Sequence, residues 1–371
     1  MATAIDSLPN ELLGEIVIFC ATHCADAPLI LSAVSRRFRS VAYGTPRAWS
    51  KLRLSPGSKG DKSSEEFLVP KAKLWFDRAG ECSLDLFIDL APAGAGFSNT
   101  TQTPYEFLVL TAFLYPRRSR IRTLSARCDT ELKAYNFLDA IYDGCSSCHH
   151  PSLQNLRIRI TSDIPGTVPT TWSPVFSSFD RFPTLQSLTL TNHVLPALPT
   201  PYLSNLHTLA IVRPLRAHPL PANKLRTLLE SAPMLERLEI DSRIGVDRAG
   251  YSIQLHSLKK LVLRANNLPF LLSVVVPGNQ LESLLLVDLD GRRPDAASEL
   301  GEALEAQDDD FFESLRLLKI CSVSFHPNHA SETTWSKVAR RMKVFSGLIV
   351  GDSYRDGDRI WADWDWTSGW K

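Results

Sequence analysis

The sequence predicts an α/β chain: a helical N-terminal module of about fifty residues, then a long array of short strands alternating with helical returns. Three observations predict it. Up to Trp49, apolar residues recur at helical spacing behind prolines placed where helices open. From Leu153 onward the pattern Leu-x-x-Leu-x-Leu/Ile keeps returning. Between its copies lie stretches such as 224–231 whose apolar positions fit a helix. These patterns divide the chain into 1–54 (helical module), 55–70 (linker or loop), 71–350 (array) and 351–371 (Trp-rich cap or tail).

In the module, Pro9 suits a first helical position, where its missing N–H would be unpaired anyway, and Glu11 complements the helix dipole. Leu12, Leu13, Ile16, Val17 and Cys20 follow at one-face spacing, and Ile18 and Phe19 widen the apolar surface. Pro28 opens a second helix, along which Leu31, Val34, Phe38 and Val41 form a continuous stripe between Ser35, Arg36, Arg37 and Arg39. Gly44 ends that run. Thr45 and Pro46 then start a short third helix through a side-chain cap and a proline, with Trp49 one turn in. Leu52 and Leu54 alternate as in a strand. Three short helices cannot bury enough surface to be stable alone, so the module needs a partner or a neighbouring domain.

The segments Leu8-Pro9-Asn10-Glu11-Leu12-Leu13-Gly14-Glu15-Ile16, Val34-Ser35-Arg36-Arg37-Phe38 and Thr45-Pro46-Arg47-Ala48-Trp49 carry a resemblance. In order and spacing they resemble F-box proteins of the kind abundant in mushroom-forming fungi. The family often has Cys at the position of Ser35 and Trp at that of Phe38. The resemblance implies that Leu8, Pro9, Leu12, Ile16, Leu31, Val34 and Phe38 build or flank a surface facing a Skp-type adaptor and, through it, a cullin. Which of them point outward is open at this stage. The segment from Leu74 to Leu86 is similar to the helix-then-strand that comes after the F-box in the same group.

Copies of the leucine pattern stand at Leu153/Leu156/Ile158, Leu185/Leu188/Leu190, Leu206/Leu209/Ile211, Leu235/Leu238/Ile240, Leu258/Leu261/Leu263, Leu281/Leu284/Leu286 and Leu315/Leu318/Ile320. Ile121/Leu124 is a degenerate early copy and Phe345/Leu348/Val350 a late one. First positions are 32, 21, 29, 23, 23 and 34 residues apart, in or just above the period of leucine-rich repeats. One such strand cannot cover its inward residues, whereas stacked neighbours bury a continuous core. In regular repeats an Asn three residues past the last leucine bonds the backbone of the turn. Leu263 with Asn266 alone keeps it here, so an irregular leucine-rich-repeat solenoid is expected. The stretch 224–231 leads through Ala232-Pro233 into the next strand, and 296–306 reads as a longer helix with Asp295 at its start.

Composition narrows the function classes. A net charge of +1 supplies no global field for nucleic acid or a membrane surface. Seven irregularly spaced cysteines do not form a disulfide framework, and the N-terminus lacks the basic and apolar regions of a secretory signal. The most apolar stretch, 268–276, is about half of a membrane span. A cytoplasmic and/or nuclear protein is expected.

Candidate chemistry is thin. Cys145-Ser146-Ser147-Cys148-His149 has the haem-attachment spacing, but haem would need another compartment and zinc would need a second ligand pair, for which Cys128 is the nearby candidate. Neither cofactor nor metal is expected. No nucleophile elbow, zincin helix or phosphate loop is present; the Gly/Ser-rich stretch 55–64 lacks Walker spacing. Arg117, Arg118, Arg120 and Arg122 read as a solvated rim or, alternatively, a patch for an acidic partner or import factor. Asp308 to Asp310 read as an acidic loop. Trp361, Trp364, Trp366 and Trp370 suit a cap on the last repeat or a partner-binding tail. The expectation is a non-catalytic receptor subunit of a Skp–cullin–F-box ubiquitin ligase whose array binds an unidentified target protein. The alternative is an F-box scaffold acting outside ubiquitin ligation.

Overall fold

A computed structural model of the chain describes residues 4–55, 68–91, 105–142, 152–161, 182–192, 201–213, 219–245, 252–289, 295–307, 309–321, 337–338, 341 and 347–351. The chain forms two compact units, Met1–Thr161 and Ser162–Lys371. Both are α/β, with ten α-helices in all among the described residues. Every strand pairing described is parallel. The helical module lies in the first unit, followed there by four described strands of the main sheet.

The module opens with α1 (Asn10–His23), immediately after Pro9, whose carbonyl receives the Leu13 N–H at 3.2 Å. The continuous second helix expected from Pro28 onward is corrected: the chain breaks at Ser35 (φ −154°, ψ 165°) between α2 (Ala27–Val34) and α3 (Arg36–Tyr43). Ser35 Oγ accepts the Phe38 N–H at 3.1 Å, so a capping bond begins α3. The third helix is corrected as well. Pro46–Trp49 is a 3-10 turn, and the Thr45 hydroxyl caps nothing in it but donates back to the Val41 carbonyl at 2.7 Å.

Trp49 joins the module to the sheet. It is wholly buried, donates its indole N–H to the Ala42 carbonyl at 2.7 Å, and meets Trp75 edge-on at 5.0 Å. Trp75 lies on α4 (Leu68–Arg78) and donates to the carbonyl of Lys51 on β1 (Lys51–Leu54) at 2.8 Å. Lys71 of α4 also pairs with Asp26 at the start of α2, at 2.6 Å. The small helical module thus completes its core against the first strand and helix of the sheet.

The rest of the first unit runs β2 (Leu84–Asp89), α5 (Tyr105–Leu114), a 3-10 turn (Tyr115–Arg120), β3 (Ile121–Cys128), α6 (Glu131–Tyr142) and β4 (Asn155–Ile160). The strands lie side by side in chain order. Leu52, Leu86, Leu124 and Leu156 are successive partners, and Leu54, Ile88, Ala126 and Ile158 form the next row.

The second unit repeats the scheme. Its main strands are β5 (Ser187–Thr191), β6 (Thr208–Val212), β8 (Arg237–Asp241), β11 (Lys260–Ala265), β13 (Ser283–Asp288), β14 (Leu317–Cys321) and β15 (Gly347–Gly351), again neighbours in chain order. Two short pairs, β7 (Leu220–Pro221) with β9 (Ile244–Gly245) and β10 (Ile253–Leu255) with β12 (Val275–Pro277), flank them. The middle leucines of the motif partner one another from Leu188 through Leu209, Leu238, Leu261 and Leu284 to Leu318 and Leu348. The leading leucines, from Leu185 to Leu315, are buried too.

Helical returns occur where expected: α7 (Ala222–Glu230) buries Leu225, Leu228 and Leu229, and α9 (Ala296–Glu305) follows Asp295 and buries Leu300 and Leu304. The apolar stretch at 268–276 is divided between α8 (Leu268–Val274) and β12. In the acidic run, Asp309 begins the short α10 (Asp309–Glu313) and accepts from Arg341 Nε at 2.9 Å. Residues 56–67 of the linker and 352–371 of the Trp-rich end lie outside the described residues.

Asn266 bonds the backbone of a turn. Its Oδ1 accepts the Ile244 N–H at 2.7 Å and its Nδ2 donates to the Ile244 carbonyl at 3.3 Å, holding the turn after the previous strand. Replacing it leaves both groups of a half-buried turn unsatisfied. Asn266→Ala should lower stability by about 1–3 kcal/mol in urea unfolding of the full chain. Ser187→Ala, at a half-buried strand start, should change it by less than about 0.5 kcal/mol.

Candidate docking surface

At 3.6 residues per turn, α1 presents two apolar stripes rather than one. Leu13, Gly14, Val17 and Ala21 are buried against the module's core. Leu12, Ile16 and Phe19 lie on another side of the same helix and are 51%, 37% and 65% exposed. The single stripe expected from Leu12 to Cys20 is therefore corrected, because it is split between core and solvent. Gly14 permits the close inward packing: a Cβ there would stand 3.3 Å from Thr45 Oγ1.

α2 adds to the outward surface. It buries Ala27, Pro28 and Ser32 and leaves Leu29, Ile30 and Val34 exposed, Val34 at 65%. With Ile5 ahead of α1, seven of the eleven exposed large apolar residues among those described lie in the first 34 positions. Scattered exposed leucines are ordinary on any surface, whereas this concentration falls on two helices that pack against each other.

The residues singled out by resemblance separate accordingly. Leu12, Ile16 and Val34 are exposed, as is Pro9; Leu8 and Leu31 are half-buried. Phe38 lies inside the module at 7% exposure, beneath the outward residues. Phe19, which widens the apolar surface of the first helix in the sequence, belongs to the outward surface, and so do Leu29 and Ile30, which were not singled out. The signal for the last two was the composition of α2, Ala-Pro-Leu-Ile-Leu-Ser-Ala-Val, which is apolar almost all round. Arg37 was likewise not singled out. It donates Nε to Asn10 Oδ1 at 3.1 Å and Nη2 to the Leu8 carbonyl, fixing the entry of α1 and with it Leu8 and Pro9.

The other sequence candidates resolve differently. Arg122 grips Asp85 through two bonds of 3.1 and 2.8 Å, and that partner raises the pKa of its guanidinium. Arg120 donates to the Phe76 and Cys82 carbonyls. Arg117 and Arg118 each donate to a nearby carbonyl and lie over the rings of Phe113 and Tyr115, at 4.0 and 4.1 Å. The basic run is thus held by the chain's own backbone, rings and one carboxylate. The 145–150 segment lies outside the described residues. Cys128 is buried, and burial pushes its thiol pKa up, away from the thiolate that a metal would need. Among the described residues no three His, Cys, Asp or Glu side chains are grouped to hold a metal ion, and no helix is long and apolar enough to cross a membrane. A cavity of about 350 Å³ in the second unit mixes Lys259 and Arg316 with Glu282 and Glu313.

The two faces of α1 predict opposite outcomes for substitutions of the same kind. Leu13→Ala should cost about 2–5 kcal/mol in urea unfolding, and Leu12→Ala less than about 1 kcal/mol. Thiol labelling of the native chain should modify the exposed Cys24 rapidly and spare Cys128 and Cys321 until denaturant is added. No protein-family model matches the chain, and no curated protein matches it, so its function is read from its own residues.

Proposed function

We propose that the N-terminal module is an F-box and that its exposed α1–α2 surface docks on a Skp-type adaptor. The chain is then a non-catalytic substrate receptor of a cullin-based ubiquitin ligase in the cytoplasm or nucleus. The observation that carries this reading is the outward apolar patch of Leu12, Ile16, Phe19, Leu29, Ile30 and Val34 on two neighbouring helices. A module with a complete core has no internal use for it. Burial of such side chains by a partner is worth up to about 1.5–3 kcal/mol each before the cost of association. The motif resemblance supplies the identity of the partner.

The strand array is read as an irregular leucine-rich-repeat solenoid. Support comes from neighbouring strands in chain order and from motif leucines that pair with motif leucines at each step. Asn266, in its turn-holding role, adds to it. In this reading the array presents a target protein, and the adaptor end holds that target near the charged conjugating enzyme. Catalysis by the receptor is not required, because the gain is one of effective concentration.

The test uses the outward residues, whose replacement leaves the core intact. Full-length Ile16→Asp/Val34→Asp, tagged and expressed with the Skp-type adaptor of the same organism, should recover at least about tenfold less adaptor than wild type. Its thermal midpoint should stay within a few degrees of the wild-type value. Leu8→Ala/Pro9→Ala should weaken recovery in the same direction. Equal adaptor recovery by wild type and the Ile16/Val34 variant would refute the docking assignment. Adaptor capture without any cullin would refute the ligase part alone.

A further inference from the structure

We infer that the outer face of α3 is a second docking stripe, fitted to an acidic peptide segment. The helix turns Phe38, Val41 and Ala42 into the core. At about 100° per residue, Arg36, Arg39, Ser40 and Tyr43 then share the opposite side. Arg36 and Arg39 are exposed, and Arg47 comes next, also exposed, on the adjoining 3-10 turn. Arg78 of α4 lays its guanidinium over the Tyr43 ring, 4.0 Å from its centre. Three exposed arginines thus lie on α3 and the adjoining turn, and a fourth guanidinium covers the half-buried Tyr43.

Two features distinguish this face from an ordinary solvated one. The first is its lack of internal neutralisation. Among the described residues no carboxylate forms an ion pair with Arg36, Arg39, Arg47 or Arg78, whereas Arg122, Arg127 and Arg264 each hold an aspartate. The second is orientation. Arg39 donates Nε to the Ser32 carbonyl at 3.0 Å, and Arg78 is stacked, so part of the side-chain entropy of binding is already spent. Guanidinium forks set in this way suit carboxylates.

The surroundings choose the class of partner. A net charge of +1 lacks the wide basic field that a nucleic-acid backbone demands. α3 is eight residues long, about 12 Å of axis, which matches a few carboxylates rather than a long run of phosphates. The strongly exposed Val34 stands two residues before Arg36 and offers an apolar contact beside the charges. The fitting ligand is an extended peptide with several Asp or Glu residues and an apolar anchor. This assignment does not rest on the adaptor reading, since its charges lie on a different helix and only Val34 borders both surfaces.

Fluorescence anisotropy on the full-length chain tests it, with a labelled short polyglutamate peptide carrying one leucine as the probe. Saturable binding at low salt is expected, weakening as salt rises. Arg36→Glu/Arg39→Glu should lose about tenfold or more in affinity with unchanged circular dichroism, and the milder Arg36→Gln/Arg39→Gln should lose less in the same direction. Ile16→Asp and Arg117→Glu/Arg118→Glu should bind as wild type does, which separates this stripe from the adaptor surface and from the other basic cluster. Absence of saturable binding by wild type, or equal binding by both α3 variants, would overturn the proposal. So would an equal loss in the Arg117/Arg118 variant, or tighter binding of a single-stranded oligonucleotide of the same charge.

Discussion

The strands carry leucines that they cannot cover by themselves, and the architecture of both units derives from that constraint. A strand such as Arg237–Asp241 is five residues long, and its inward Leu238 and Ile240 find cover from Leu209 and Ile211 on one side and Leu261 and Leu263 on the other. Fully buried leucines and isoleucines contribute about 1.5–3 kcal/mol each, but only when the neighbours are in place. Stability is therefore shared between adjacent strands, and the helical returns are free to vary in length as long as they deliver the next strand in register.

Leucines matched to leucines do not by themselves choose a register, because a slip of two residues would again set apolar against apolar. The opposite face of the sheets discriminates. Asp89 and Arg127 are partners on neighbouring strands and bond at 3.1 Å, and Asp241 and Arg264 repeat the arrangement at 3.0 Å. Both aspartates are buried. Burial raises the Asp89 pKa even though the Ala91 N–H and Arg127 oppose the shift, so this pair adds little net stability. Its value lies in the cost of breaking it. A slipped strand would leave a buried carboxylate unpaired, and the correct register is the one that does not.

The array was legible in the sequence for the same reason that it is stable: the motif that repeats is the motif that packs. Leu153 to Leu315 announced their strands, and Asn266 announced a turn bond. The module was only partly legible. Periodicity reports which positions are apolar, not which of two apolar sides faces inward, so Leu12 and Leu13 looked equivalent although one is 51% and the other 1% exposed. The Leu31–Val41 stripe was misleading because Ser35 can sit inside a helix or cap one, and its spacing to Phe38 fits both. Thr45 erred in the other direction, since a capping residue in sequence became a donor to the preceding helix. The arginines of 117–122 showed no partners in sequence because their acceptors are mostly backbone carbonyls, which no pattern reveals.

The break at Ser35 is the event that turns a greasy helical segment into an exposed surface. Had α2 run on through Ser35, Val34 would have shared a stripe with Phe38 and Val41, on a side of the helix other than the one that buries Ala27, Pro28 and Ser32. The cap bond from the Phe38 N–H to Ser35 Oγ redirects the chain, so that Phe38 and Val41 stay buried while Val34 is left 65% exposed. Such a bond is worth only about 1 kcal/mol, far less than burying one valine and one phenylalanine. The redirection persists because both halves gain: α3 keeps its apolar residues inside, and Trp49 closes the core behind them through the Ala42 carbonyl. The break at Ser35 thus lets α3 bury Phe38 and Val41 while Val34 stays on the outward side of α2. That is why a surface so costly to leave in water coexists with a core from which Leu13, Val17 and Trp49 exclude it almost completely.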